Sequence, residues 1–176
     1  MDKDFTKIDY LKNGNDKQKL VFGLLTNSNI IASLQQFDPI LVGTIPIDID
    51  IENSDLDIIC SYHDKYEFIK TIHNQFYDFD NFKIKEVNEK ELNAVISNFR
   101  IDNFEIEIFG QNIPTRQQNA YRHMIVEYKL LCERDEAFRQ KIIDLKKQGY
   151  KTEPSFAIAL ELSGNPYLEL LRYENI

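Results

Sequence analysis

Cysteine is scarce in this chain: only Cys60 and Cys132 occur, far apart and in no spacing that binds a metal or shuttles electrons. That excludes a disulfide-stapled scaffold and reads as two buried thiols in a reducing compartment. Long apolar runs are missing too, so no segment approaches the length of a membrane span. The start, Met1-Asp2-Lys3-Asp4, has neither the basic flank nor the apolar stretch of a leader. A soluble, cytoplasmic protein with no membrane partner is expected. Positive charge is in deficit, with 21 Lys+Arg against 29 Asp+Glu and a net charge of -8, which argues against general nucleic-acid binding. There is no internal repeat and no low-complexity segment.

What is present is globular in character. A hydrophobic fraction of 43% and an aromatic fraction of 12% over 176 residues suffice for a proper core. One domain spanning 1–176 is expected, with a core over 1–114 that includes N-terminal helices and a helical subdomain over 115–176. Charge divides along the chain: residues 1–114 hold 11 basic and 20 acidic side chains, and residues 115–152 hold 9 basic and 5 acidic. An acidic, metal-seeking part followed by a basic, anion-seeking part suits a metal-bound phosphate ligand, and equally suits ordinary solvated helix faces.

Helices are predicted over 5–12 and 16–36, the second capped by Asn15, interrupted near Asn27-Ser28-Asn29, and with Leu20, Leu24, Ile31 and Leu34 near helical spacing. Ile40-Leu41-Val42 reads as a short strand ending at Gly43-Thr44, where glycine lets a backbone approach a ligand and the threonine hydroxyl and amide suit a phosphate oxygen. A simple turn accounts for the same pair. Asp48, Asp50 and Glu52 alternate in the next loop, but a calcium loop starting at Asp48 needs glycine where Asn53 stands and glutamate where Ile59 stands. Asp55 and Asp57 open the next strand at i and i+2, so their carboxylates share one face about 6–7 Å apart. At that spacing two charges repel by about 2–3 kcal/mol at an effective dielectric of about 20. A divalent cation offsets such repulsion; a solvated strand edge simply tolerates it.

A helix over 64–79 carries Phe68, Ile69, Ile72 and Phe76 on one face, with His63 and His73 at its edges as structural residues. Strands follow over 82–87, 92–101 and 104–109, the last alternating Phe104, Ile106 and Ile108 against Glu105, Glu107 and Phe109. Beyond Gly110 the pattern turns helical: 115–132 with Ala120, Met124, Tyr128 and Leu131 as core stripe and Gln118, Arg122 and Lys129 as polar face; 135–148 between an Asp135 cap and Gly149; then 153–162 and 166–173. His123 and Glu127, at i and i+4, have ligand-pair spacing, although a histidine at the core edge is the preferred account.

Gly43-Thr44, Asp55-Leu56-Asp57 and Glu107 between apolar residues together resemble the DNA polymerase β-type nucleotidyltransferase superfamily. The longer strings Gly43–Pro46, Ser54–Ile58, Glu107–Gln111, Gln118–Met124 and Lys151–Phe156 resemble GT-x-P, SDLDI, EIFGQ, QNAYRHM and KTEP-F of a bacterial family of uncharacterised nucleotidyltransferase-like domains, across roughly residues 40–168. The resemblance implies an α+β fold, a nucleotidyltransferase-like mixed sheet with flanking helices and a helical C-terminal half. It implies Mg²⁺, two ions, held by Asp55, Asp57 and Glu107, with ATP or another NTP as substrate and a hydroxyl acceptor of unspecified identity. Glu107 would be the base, preferred over Glu105 because it lies in the EIFGQ string. Gly43, Thr44 and Ser54 would contact phosphates, as would Arg122, with Lys129 or Arg116 as weaker candidates. The rival implication is a catalytically silent nucleotide-binding or protein-interaction module, including an antitoxin-like role, on the same fold.

Overall fold

The computed structural model describes residues 3–89 and 92–175. Its elements run α1 (Asp16–Asn27), α2 (Ile30–Ser33), β1 (Ile40–Val42), β2 (Leu56–Ser61), α3 (Lys65–Phe76), β3 (Asp80–Glu89), β4 (Leu92–Ile101), β5 (Phe104–Gln111), α4 (Asn119–Cys132), α5 (Glu136–Lys147), α6 (Thr152–Ala159) and α7 (Pro166–Leu171), with short 3₁₀ turns between some of them. The five strands form one mixed sheet in the order β1-β2-β5-β4-β3. Among the described residues β2 and β5 run parallel and the other neighbours antiparallel. This is the mixed α+β architecture expected.

The chain divides into two compact units. The first comprises 1–42 and 55–118, the second 43–54 and 119–176. The loop 43–54 thus groups with the helices rather than with the strands on either side of it.

In the first unit, local signals set the helix ends. Asn15 accepts from the Gln18 amide while the Gln18 side chain accepts from the Asn15 amide, a reciprocal cap at the start of α1. The break expected at Asn27-Ser28-Asn29 falls where Asn29 adopts a left-handed φ of 56°, separating α1 from α2. The buried face of α1 is Val21 and Leu25, whereas Leu20, read as a core position, is 60% exposed. Residues 5–12 are not an α-helix; only a 3₁₀ turn at Asp9–Asn13 forms there.

The sheet has one apolar face and one mixed face. Leu56, Ile58 and Cys60 of β2 and Ile106, Ile108 and Gly110 of β5 are buried on the first. Helix α3, capped by Asp64, packs there: Phe76 stacks on Phe99 at 5.0 Å, and Phe68 sits edge-on to Phe37 at 4.9 Å. A side chain at Gly110 would overlap the Phe68 ring, so glycine is what lets α3 sit this close to β5. His73 stacks on Tyr77 at 4.7 Å.

In the second unit, Met124, Val126, Leu130 and Leu131 of α4 are buried with His123 and Glu127. The expected stripe is therefore rotated: Ala120 is exposed and Tyr128 only half-buried. Cys132 is exposed rather than buried, while Cys60 is buried, which pushes its thiol pKa up. Asp135 accepts from the Phe138 amide to start α5, and Gly149 closes it with φ 96°. Among the described residues no helix is long and apolar enough to cross a membrane.

Candidate functional site

The parallel register of β2 and β5 sets Leu56 against Ile106, Asp57 against Glu107 and Ile58 against Ile108. Partners in adjacent strands project to the same face, about 4.8 Å apart along the sheet. Asp57 and Glu107 therefore meet on the mixed face, both half-buried. The row continues: Val42 lies opposite Asp57 on β1, Asn98 opposite Glu107 on β4, and Lys83 opposite Asn98 on β3. Asn98 Nδ2 donates to Glu107 Oε2 at 3.2 Å, which orients that carboxylate. Asp55 stands one residue before β2 and is exposed.

Glu105, the competing third acid, lies opposite Arg100 on β4 and is exposed. Its register is with a cation; that of Glu107 is with Asp57 and an amide donor. As donors, Asp57 and Glu107 are carboxylates on neighbouring strands with partial solvent access, which fits a hard cation such as Mg²⁺.

Arg116 lies in the first unit and is exposed; the remaining candidates fall in the second unit. Gly43 has φ 86°, a left-handed conformation that glycine adopts without strain. Thr44 Oγ1 donates to Ser54 Oγ at 3.4 Å, and Ser54 Oγ also accepts from the Ile51 amide at 2.9 Å. Buried Ile45, Ile47 and Ile49 anchor this loop. Helix α5 holds it further: Arg139 Nη1 donates to the Ile47 and Asp48 carbonyls at 2.8 and 2.9 Å, and Lys146 Nζ to the Ile49 carbonyl at 2.7 Å. Sequence patterning had assigned Arg139 and Lys146 no role, because a loop carbonyl leaves no trace in composition.

Arg122 forms a two-point pair with Glu174, Nε to Oε1 at 2.9 Å and Nη2 to Oε2 at 2.7 Å, and donates to Asn119 at 3.1 Å. Lys129 Nζ donates to the Glu174 carbonyl at 3.3 Å. Both cations read as phosphate contacts thus engage Glu174 of the 3₁₀ turn Arg172–Asn175. The Arg122 pair holds the Glu174 carboxyl below its ordinary range. Gln118, expected on the polar face with them, belongs to the first unit and is buried, donating to the Cys60 and Ile113 carbonyls at 2.8 and 2.9 Å.

A separate cleft in the first unit, of about 360 Å³, is bordered by Phe37, Asp38, Ser61, His63, Asp64 and Pro114. None of the residues singled out as nucleotide or metal contacts lines it.

One cluster exceeds what the sequence suggested. His123 and Glu127 are 5% and 4% exposed, and Glu153, from the first turn of α6, joins them. One ligand atom from each lies within 4.8 Å of the other two. His123 Nδ1 is 3.5 Å from Glu153 Oε1, an ion-pair distance too long for a well-formed hydrogen bond, and it has no hydrogen-bond partner among the described residues. Burial pushes the Glu127 carboxyl up to about 8, helped by nearby Glu153 and opposed by Lys146. Burial also acts on Glu153, but His123, a backbone amide and Lys151 outweigh it and bring that carboxyl below its usual value. The i, i+4 spacing of His123 and Glu127 was the one available signal; Glu153 lies on another helix.

Solved structures share this fold. A cytoplasmic RNA terminal U-transferase is 16% identical with a TM-score of 0.51, over 82% of this chain and 44% of its own. The GLD-2/RNP-8 complex structure is 15% identical with a TM-score of 0.53, over 87% and 61%. The Cid1 poly(U) polymerase with MgGTP bound is 14% identical with a TM-score of 0.54, over 82% and 47%. The chain spans roughly half the length of these proteins, and the likeness shows a nucleotidyltransferase-like fold. No protein of curated function matches the sequence. The family model described as a domain of unknown function, DUF4269, matches residues 23–173, starting within α1, and the chain belongs to that family.

Proposed function

We propose that this protein is a Mg²⁺-dependent nucleotidyltransferase that moves a nucleoside monophosphate from ATP or another NTP to a hydroxyl acceptor. The observation that supports this most is the register of Asp57 with Glu107, two carboxylates from distant parts of the chain on one face, with Asp55 two residues before Asp57. Asp55, Asp57 and Glu107 are the proposed metal ligands. The metal would neutralise phosphate charge and lower the pKa of the attacking hydroxyl. Glu107 takes the hydroxyl proton. The acceptor oxygen bonds the α-phosphorus, the bond from that phosphorus to the β-phosphate bridging oxygen breaks, and pyrophosphate leaves. Gly43, Thr44 and Ser54 are proposed phosphate contacts on the strength of the sequence resemblance, as are Arg122 and Lys129. The finer resemblance, to a bacterial family carrying the SDLDI and EIFGQ strings, belongs to the same proposal.

The test is incubation with labelled NTPs and Mg²⁺ against RNA 3′ ends and small hydroxyl compounds, with pyrophosphate release as readout. Labelled product that disappears in Asp57→Asn is the expected result. The two-point Arg122–Glu174 pair favours a second reading, a silent nucleotide-binding or protein-interaction module, since a guanidinium so held is withdrawn from phosphate. NTP-dependent thermal stabilisation with no turnover on any acceptor would support that reading.

A further inference from the structure

We propose that His123, Glu127 and Glu153 form a buried binding site for a divalent transition metal of the Zn²⁺ class, separate from the Asp57–Glu107 row. Three observations carry it. The donors are one imidazole and two carboxylates, with one ligand atom from each within 4.8 Å of the others. His123 is only 5% exposed, yet its Nδ1 has no hydrogen-bond partner among the described residues and faces Glu153 Oε1 at 3.5 Å. Ligand atoms around a tetrahedral Zn²⁺ stand about 3.3 Å apart, given bonds of about 2.0–2.1 Å, so this pair is already near coordination spacing. The Glu153 side chain remains 23% exposed, which leaves a route for the ion and an open position for water.

The local fold makes the set rigid. His123 and Glu127 are one turn apart on α4, and Glu153 sits in the first turn of α6. Buried ionised carboxylates are either paired or bound to a metal, and a buried nitrogen without a partner carries the full cost of its lost hydration. Lys146 faces Glu127 and offsets part of its charge, with its Nζ donating to the Ile49 carbonyl. It does nothing for His123 Nδ1. A metal satisfies that nitrogen and both carboxylates at once. The imidazole selects Zn²⁺, Fe²⁺ or a similar ion over Mg²⁺, which takes oxygen ligands.

The experiment uses the full chain carrying Asp57→Asn and Cys132→Ser, so that neither the acidic row nor the exposed thiol takes up metal. Zn²⁺ is titrated against a chromophoric chelator, and Co²⁺ is followed by its visible absorption. One equivalent per chain is expected, unaffected by millimolar Mg²⁺, with Glu153→Gln weakening Zn²⁺ binding by at least about tenfold and altering the Co²⁺ spectrum. Absence of metal uptake in the starting chain, or unchanged binding and spectrum in Glu153→Gln, would overturn the proposal. If Glu153→Gln loses its helical circular dichroism, ¹⁵N NMR of the three histidines in the starting chain decides. One imidazole shifting with Zn²⁺ supports the site, and none shifting refutes it.

Discussion

Asp57 of β2 lies directly opposite Glu107 of β5, where the two strands pair in parallel. Both carboxylates face the same side, and the amide of Asn98 steadies the second at 3.2 Å. Neutralising either acid is expected to abolish the Mg²⁺-dependent part of nucleotide binding. For Asp57→Asn and Glu107→Gln, nucleotide affinity in Mg²⁺ should fall by more than about tenfold and become insensitive to chelator. Isothermal titration with a nonhydrolysable NTP, with and without EDTA, measures this. Asn98→Ala, which removes only the orienting amide, should weaken binding in the same direction by a smaller factor.

Glu174 holds Arg122 through two hydrogen bonds. If Arg122 serves phosphate, Glu174→Gln should raise nucleotide affinity severalfold while Arg122→Ala lowers it, as read in the same titration. The stability cost of Glu174→Gln should stay under about 1 kcal/mol, because both side chains of the pair are about a third exposed and solvent screens them. Unchanged affinity in both variants would assign the pair a purely structural role.

Gly110 and Phe68 are packed so closely that a methyl group at 110 overlaps the ring. Phe68 is fully buried and cannot swing outward. Gly110→Ala should cost about 1–3 kcal/mol in urea unfolding. Adding Phe68→Leu to that variant should cost less than Phe68→Leu does alone, since the smaller side chain leaves room for the new methyl group.

Burial raises the Glu127 carboxyl to about 8, so the folded chain binds this proton more tightly than the unfolded chain does. Stability from that difference is fully present below the unfolded value near 4.5 and is lost as pH rises through about 8. Held in EDTA, the protein should lose stability across this window, by an amount on the order of a few kcal/mol. Glu127→Gln should flatten the profile there. Urea midpoints at pH 5, 6.5 and 8 test this, and parallel profiles for the two proteins would contradict it.

What the sequence determined is what local periodicity encodes. Alternation over Phe104–Phe109 set which side chains share a face, whereas Asp55 falls one residue before β2, outside the strand whose alternation was expected to carry it. Asn15, Asp135 and Gly149 marked helix ends because a cap is a contact between neighbours in the chain. The helix on 119–132 shows the limit: its period was legible, but its rotation was not, and His123 and Glu127 rather than Ala120 and Tyr128 turned inward. Rotation depends on which side meets other elements, and that is a property of the packed molecule.

Only the tertiary structure decided the rest. The parallel register that sets Asp57 against Glu107, rather than against Glu105, comes from ladder hydrogen bonds between segments far apart in the sequence. The capture of Arg122 by Glu174 and the meeting of Glu153 with His123 likewise join residues on different helices. A side chain's type sets what it can bind. Which partner it finds is set by burial and by the competition among all groups within reach once the chain has closed on itself.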